Sequence, residues 1–531
     1  MSPPVALLCS RPDNKIIGQT AGAGKFQISL ARYLLRLQDF GLSAAGIVKK
    51  YAYFTAACGG PCRFGMYEAE FRTALTVAGF QGFRVLSFSQ DRGIFASTGH
   101  SGLQFSADFG WNTLHAFILG DLLNAAQHRL KPFEIQAGAT ERAVANATEA
   151  IAEHFQRNHG FELQDFVPAS LLPNAGSRWY RFPNSLGKLW SHLYGNALTT
   201  VLPSAAQELG NVEVDWLRVK PVVKVIGDFW AQMTESDGNF RMLEFLEREG
   251  AEVSIEPIST WILYLLQQKN ANAALRGQMA RYTAPWTSPK QAVLARLASY
   301  GKRLGFSAGA SIYRHHFHHL AKLLGFPPQH LASQREVSRL AEPFYDPRLR
   351  GGEGHLEVAK TLYYTQKKMC HMVLALKPFG CLPSVQSDAV QASLVERFPE
   401  VRFLPVETSA DGEIHAYSRV QMALYEPLAK ASSEFEQILL STHRSIEDIR
   451  DFVVDNPELR HPLHRIPRTS GVVSTAAHFV LYADQLMSGR RRKRMFSWAW
   501  FEQQSNNAAL GTISSKGDCP HERYRTAACK H

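Results

Sequence analysis

Cysteine is scarce in this chain, with seven among 531 residues. An odd number scattered over that length excludes a disulfide framework, and in a reducing compartment it leaves metal ligation or catalysis as the special uses of a thiol. Long apolar runs are missing too. The longest near the C-terminus, GVVSTAAHFVLYA from Gly471 to Ala483, contains His478 and falls short of the ~20 residues that cross a bilayer. The opening MSPPVALLCSRPDNK lacks the basic, apolar and small-residue succession of a secretory signal. The expectation is a soluble cytoplasmic protein with no membrane partner.

Acidic residues are in deficit, which gives a net charge of +11. From Met487 to His531 there are nine Lys/Arg against three acids, so the tail carries +6 and the body about +5. A mildly basic body suits an anionic small ligand or an acidic protein as well as nucleic acid, and no nucleic-acid-binding motif accompanies it. The expectation is no nucleic-acid partner. The tail, with RRRKR and Gln/Asn pairs, reads as disordered.

What is present is an α/β pattern. Tyr51 to Ala57 reads as a strand entering a CGGPC turn, Met66 to Val77 as an amphipathic helix and Phe83 to Phe88 as a second strand. Helical segments follow around Trp111 to Ala126 and Thr140 to Arg157. A second start comes at KPVVKVIGDFW (Lys220 to Trp230), with a helical run to Glu249 and a strand from Glu252 to Ile258. Trp261 to about Leu340 is a helical insertion. MVLAL (Met372 to Leu376) is a third strand, GCLPS its exit loop, Gln386 to Phe398 a helix and VRFLPV (Val401 to Val406) a fourth strand. Beyond about Leu428 the pattern loses coherence. The fold expectation is α/β with two Rossmann-like, doubly wound lobes, a helical insertion and a disordered basic C-terminal tail. The lobes are bounded at 1–215 and 216–430, with the insertion at 261–345 and a helical extension and flexible tail at 431–531.

Cys58 and Cys62 sit where a strand hands over to a helix, a place where ligands collect in α/β folds. Gly59 and Gly60 let the backbone approach a bulky inorganic group, and Arg63 adds positive charge. The spacing matches neither the usual zinc pattern nor a ferredoxin run, so metal ligation, a disulfide and two incidental thiols all stay open. Cys381 occupies the same kind of loop in the other half. Two such loops facing each other bring three thiols together, a set that suits a [4Fe-4S] cluster with one iron left open, by analogy with catalytic zinc.

TAACGGPCRFGMYEAEFRTAL, VIGDFWAQMTESDGNFRMLEFLEREGAEV, DPRLRGGEGHLEVAK, LKPFGCLPSVQSDAVQ and RFLPVETSADGEIHAYSRVQMALYE, running from about Tyr53 to about Glu426, resemble the 2-hydroxyacyl-CoA dehydratase activase-related proteins. The resemblance lies in their C-terminal cluster-binding region, which is like the dehydratase and benzoyl-CoA reductase subunits. It implies a two-lobed iron-sulfur protein with Cys58, Cys62 and Cys381 as ligands, of an anaerobic, oxygen-sensitive kind. Related dehydratases are lyases that remove water from 2-hydroxyacyl-CoA thioesters through a ketyl radical, after a separate ATP-dependent activase injects one electron. Others of the group carry larger clusters and reduce small molecules. Cys370 departs from the family pattern and is assigned to the core.

GQTAGAGKF (Gly18 to Phe26) is no P-loop, because its glycine spacing fails and Phe26 stands where the magnesium-binding hydroxyl belongs. No ATPase module is visible either, so the resemblance implies that the electron comes from a separate activase protein or a separate module. Candidate catalytic residues are Ser384 after Cys381, Glu407 and Ser409 at the end of the fourth strand, and Glu353 and His355 in GGEGHLE, with helix capping the alternative for Ser384, Asp388, Glu353 and His355. His315-His-Phe-His-His319 invites a zinc reading, but without neighbouring acids or thiols it reads as a surface helix. Trp216, Trp230 and Trp261 read as core. Three functions stay in play: a dehydratase or its electron-delivering component, acting on an acyl-CoA; a low-potential reductase with a larger cluster; and a non-catalytic scaffold for an activase. Pairing as a homo- or heterodimer is left open.

Overall fold

The computed structural model describes residues 22–57, 62–89, 107–157, 178–228, 231–232, 239–282, 289–326, 330–349, 352–409 and 412–489. Cys58, Gly59, Gly60, Trp230 and the RRRKR tail lie outside the described residues. The chain divides into two compact units, 1–484 and 485–531. Among the described residues the architecture is α/β, mostly helical, with two parallel sheets.

In the first sheet β1 (Ala52–Ala57) pairs in parallel with β2 (Arg84–Ser89). The helix Tyr67–Val77 crosses between them, burying Phe71 and Leu75 against Leu34, Ile47 and Val85. The second sheet holds β3 (Val222–Gly227), β4 (Glu252–Ser254), β5 (Met372–Pro378) and β6 (Phe403–Thr408) in the order β4-β3-β5-β6, all parallel. β3 and β5 are buried runs of β-branched and aliphatic residues, the pattern of strands covered on both faces. Alternation then sorts side chains between two cores. Val223, Val225, Leu374 and Leu376 face the helix Met242–Arg248, and Val222, Ile226, Val373 and Ala375 face the helix Gly354–Gln366.

Between the sheets come the helices Ala107–Leu130, Ala139–Arg157, Arg178–Tyr194 and Asn196–Gly210. The expected insertion consists of the long helices Ile258–Tyr282 and Pro289–Leu323 and the short Gln334–Ala341. Two expectations are corrected. The helix after β5 starts at Leu382, four residues early, because Pro383 in its first turn is preset for helical φ. The strand from Glu252 stops at Ser254, since Pro257 precedes a helix beginning at Ile258. Past Leu428 the chain is helical. The helix Glu413–Thr442 runs through Pro427, and Ile446–Asp455 and Thr475–Met487 follow it.

Between β3 and β5 the chain order reverses, so the carboxyl ends of these strands form a switch point, where open α/β sheets bind ligands. Gly227 closes β3 there at φ +120°, and a Cβ on it would lie 2.1 Å from the Leu376 carbonyl oxygen. Gly227→Ala is expected to cost more than about 3 kcal/mol, from strain and from separation of the two central strands. The urea midpoint measures it, and an unchanged midpoint would mean that β5 yields.

Candidate functional site

Three strand ends supply the site. Arg63, just after Cys62 in the loop leaving β1, donates from Nη2 to the Gly380 carbonyl at 2.6 Å, which ties the first loop to the one leaving β5. Gly380 takes φ +69°, and a Cβ on it would stand 2.7 Å from that same Arg63 nitrogen, so both conformation and space call for glycine. Cys381 is the next residue and caps the helix Leu382–Arg397 without a side-chain capping bond. The Tyr67 phenol is raised above its ordinary value, first by burial. The Arg63 cation opposes this, while Cys62, Cys381 and Asp228 add to it. One phenol therefore senses both thiols and the carboxylate after β3.

Burial and Asp228 push the Cys381 thiol up to about 12, against hydrogen bonds with Ser384. Without a cation it stays a thiol, and metal binding there would have to release that proton. Glu353 is the second perturbed acid. Burial lifts it to about 8; the Lys360 ammonium and a hydrogen bond from Trp261 oppose, and Asp228 and Glu357 add to the rise. At neutral pH it carries a proton. It precedes the helix Gly354–Gln366 and makes no side-chain capping bond. His355 is buried between Tyr264 and Tyr345, with ring centres 5.4 and 6.5 Å away, and burial lowers it to about 4.

Behind Cys381 lies an ionic network. Glu357 accepts from Ser384 Oγ at 3.0 Å and from Ser387 Oγ, and Lys377 Nζ sits 3.1 Å from Glu357 Oε2 while pairing with Asp388. Gln391 Oε1 accepts from the same ammonium at 3.1 Å. Ser384 and Asp388 thus brace this network in place of capping. Thr408 Oγ1 donates to the Lys377 carbonyl at 3.2 Å, Glu407 is exposed in register with Lys377, and Ser409 is half-buried at the strand's end. The structure brings Cys62, Arg63 and Cys381 together, with Ser384 beside Cys381 and Glu353 beside Asp228. Among the described residues no hydrogen bond runs from Glu407 or Ser409 to Cys62 or Cys381.

No family model, curated protein or solved structure matches this chain. Its chemistry therefore rests on its own residues. Among the described residues no three His, Cys, Asp or Glu side chains are placed to hold a metal ion. Cys62 and Cys381, two of the three expected ligands, share the Tyr67 neighbourhood, and the third, Cys58, lies outside the described residues. Two thiols, a cation and amides at a helix start are donors an iron-sulfur cluster uses, so what is described of the site fits that group. Cys370 lies in the core behind the sheet, where burial lifts its thiol to about 12.

The histidine run is not a plain surface helix. His315 is exposed, but His316 turns inward to 4.9 Å from the ring of His115, itself 5.2 Å from His192. Trp216 is buried against Phe133, whereas Trp261 is half-buried and reaches Glu353. Sequence reasoning missed Asp228, Tyr67 and Lys377. For two of them there was a signal: a Gly-Asp pair ending a buried strand, and a lysine inside MVLALKP.

Proposed function

We propose that this chain is an iron-sulfur protein of the 2-hydroxyacyl-CoA dehydratase type. In this reading Cys58, Cys62 and Cys381 hold a [4Fe-4S] cluster between two Rossmann-like lobes, and the protein acts in dehydrating a 2-hydroxyacyl-CoA or in delivering the electron for it. The observation that carries the reading is the Arg63 to Gly380 hydrogen bond, which sets Cys62 and Cys381 in adjoining loops despite their distance in sequence. When bound, the cluster would supply one-electron chemistry and an open iron for an oxygen ligand. The chain's own groups have separate tasks. Arg63 sets a positive charge beside the thiols, Tyr67 offers a phenolic O–H, and Glu353 holds a proton on its carboxyl at neutral pH beside ionisable Asp228. Ser384 hydrogen-bonds Cys381 and, through Glu357, fixes the helix that carries it.

The test is anaerobic reconstitution of the full chain with iron and sulfide. About four of each per chain are expected, as one [4Fe-4S] cluster requires, with a broad visible absorbance that Cys381→Ala abolishes. Iron content and absorbance unchanged in Cys381→Ala would overturn the ligand assignment. More iron and sulfide per chain would favour a small-molecule reductase with a larger cluster, and a colourless sample would favour a scaffold for a separate ATP-dependent activase.

A further inference from the structure

The positive charge of the body is concentrated in one element. From Ile258 to Leu323 there are nine lysines and arginines and no aspartate or glutamate, so the chain outside this segment and the tail carries about −4. The two long helices of the segment run antiparallel. Ser259 meets Tyr313, Asn270 meets Ser307, and Ser299 bonds the Ala273 carbonyl. The root is anchored in the body, where Tyr313, Phe317 and Leu320 are buried and Asp121 caps the first helix by accepting from the Ile258 and Ser259 amides at 2.7 Å each. The far end is not. Between residues 290 and 305 only Ala292 and Ser299 are buried.

That exposed length carries a seam. Val293, Leu297, Tyr300 and Leu304 are between half and two-thirds exposed, and they recur at intervals of four, three and four, the spacing of coiled-coil core positions. Arg296 and Arg303, seven residues apart, line one flank of the seam, where charge sets the choice of partner. A second copy of this hairpin offers no acid to answer them, because the segment contains none, and in either orientation the two cationic surfaces would repel. Leu294, beside the seam, widens the apolar face to about 120°, but the four-three-four spacing with arginines along one flank is the pattern of a helix-on-helix seam, so a lipid surface is left as an outcome of the test. The chemistry that completes the seam is an amphipathic helix bearing carboxylates.

We propose that the hairpin is a docking arm for a partner protein that presents an acidic amphipathic helix. Apolar residues of that helix pack on Val293, Leu297, Tyr300 and Leu304, and its carboxylates pair with Arg296 and Arg303. The assignment does not rest on the iron-sulfur reading, and arm variants are expected to leave iron content unchanged.

The probe is a labelled synthetic peptide of about four heptads, with leucine and isoleucine in the core positions and glutamate flanking them, titrated onto the full-length protein and read by anisotropy. Micromolar binding is expected, with a matched lysine-flanked peptide at least about tenfold weaker and the affinity falling as salt is raised. Leu297→Ser with Leu304→Ser should weaken binding at least about tenfold without shifting the melting temperature, since both residues are exposed. Arg296→Glu with Arg303→Glu should reverse the preference toward the lysine peptide, which a merely structural role would not do. Equal binding of the two peptides, or a preference untouched by the charge reversal, overturns the proposal. So does binding to phosphatidylserine vesicles in place of the peptide, or a dimer in sedimentation that the leucine substitutions abolish.

Discussion

Replacing Lys377 with methionine is expected to cost about 3–5 kcal/mol of stability, the loss typical when one partner of a buried ion pair is removed. Lys377 is 1% exposed, and its ammonium holds Glu357, Asp388 and Gln391 together beneath the helix that begins at Cys381. Without it the Glu357 carboxylate, 2% exposed, keeps only the Ser384 and Ser387 hydroxyls. Leaving a buried charge unanswered costs more than the pair contributed. A second substitution separates the two. Glu357→Gln with Lys377→Met removes both charges and should recover most of the loss, as a coupling energy in a double-mutant cycle. Urea midpoints measure it, and a Lys377→Met loss below about 1 kcal/mol would show that water enters the network. The network also braces Ser384 against Cys381, so the single variant is expected to alter Cys381 alkylation before it alters the fold.

A similar buried arrangement stands on the same face of the sheet at β3, where the strand's alternation aims Lys224 at Glu256, 3.1 Å away, with Tyr364 donating to the same carboxylate. Against burial, Lys360 and Lys224 draw Glu256 down to about 2. Both lysines interrupt otherwise apolar strands, and each charge is tolerated because a carboxylate from another element meets it.

That contrast defines what was legible beforehand. β3 and β5 could be read because unbroken β-branched and aliphatic runs identify covered strands whatever surrounds them. Cys381 could be placed at a strand-to-helix handover for the same reason. The purpose of Lys377 could not be read, because its partners come from the helices Gly354–Gln366 and Leu382–Arg397, and strand periodicity is silent about them. The meeting of Arg63 with Gly380 is likewise a tertiary fact. His316 shows the limit within a single helix. The HHFHH run marks His315 and His319 as sharing a face, yet the inward residue is the one beside His315, because the neighbouring helix Ala107–Leu130 lies on that side. That one helix runs unbroken from Glu413 to Thr442 was hidden by Pro427, which breaks an exposed helix but here is buried among favourable helix formers.

Acid should open the protein, and buried histidines set where. Burial, the first cause in each case, lowers His115, His330 and His355 to about 4 and His316 and His478 to about 3. Each is neutral in the fold at pH 5, while in the unfolded chain it takes a proton near 6.5. The folded values lie below the unfolded one, so this stability is whole above about pH 6.5 and is lost as pH falls toward 4. Each histidine contributes a slope of up to about 1.4 kcal/mol per pH unit. Asp121 and Glu353 act in the opposite sense. Burial raises them to about 7 and 8, so their contribution is whole below ordinary carboxylate values and is lost as pH rises through 7 to 8. Between pH 6.5 and 4.5 two carboxyls offset two histidines, and three remain, giving a slope of up to about 4 kcal/mol per unit against a total stability of about 5–15 kcal/mol. Below 4.5 Glu256 and Glu434 add to the loss. Against burial, lysines hold the first at about 2, and hydrogen bonds from His371 and the Ser474 and Val473 amides hold the second there. The expected result is an acid transition centred between about pH 4 and 5.5, followed by circular dichroism. The buried rings of His115 and His316 stand 4.9 Å apart and join the hairpin's root to the helix Ala107–Leu130, and among the described residues Nε2 of His316 meets no hydrogen-bond partner. His115→Phe with His316→Phe should therefore move the transition down by about half a pH unit or more while sparing stability at pH 7. A midpoint unmoved in that variant would show that acid enters elsewhere, and an earlier loss of helix from the hairpin than from the β3–β5 sheet would locate the opening at its root.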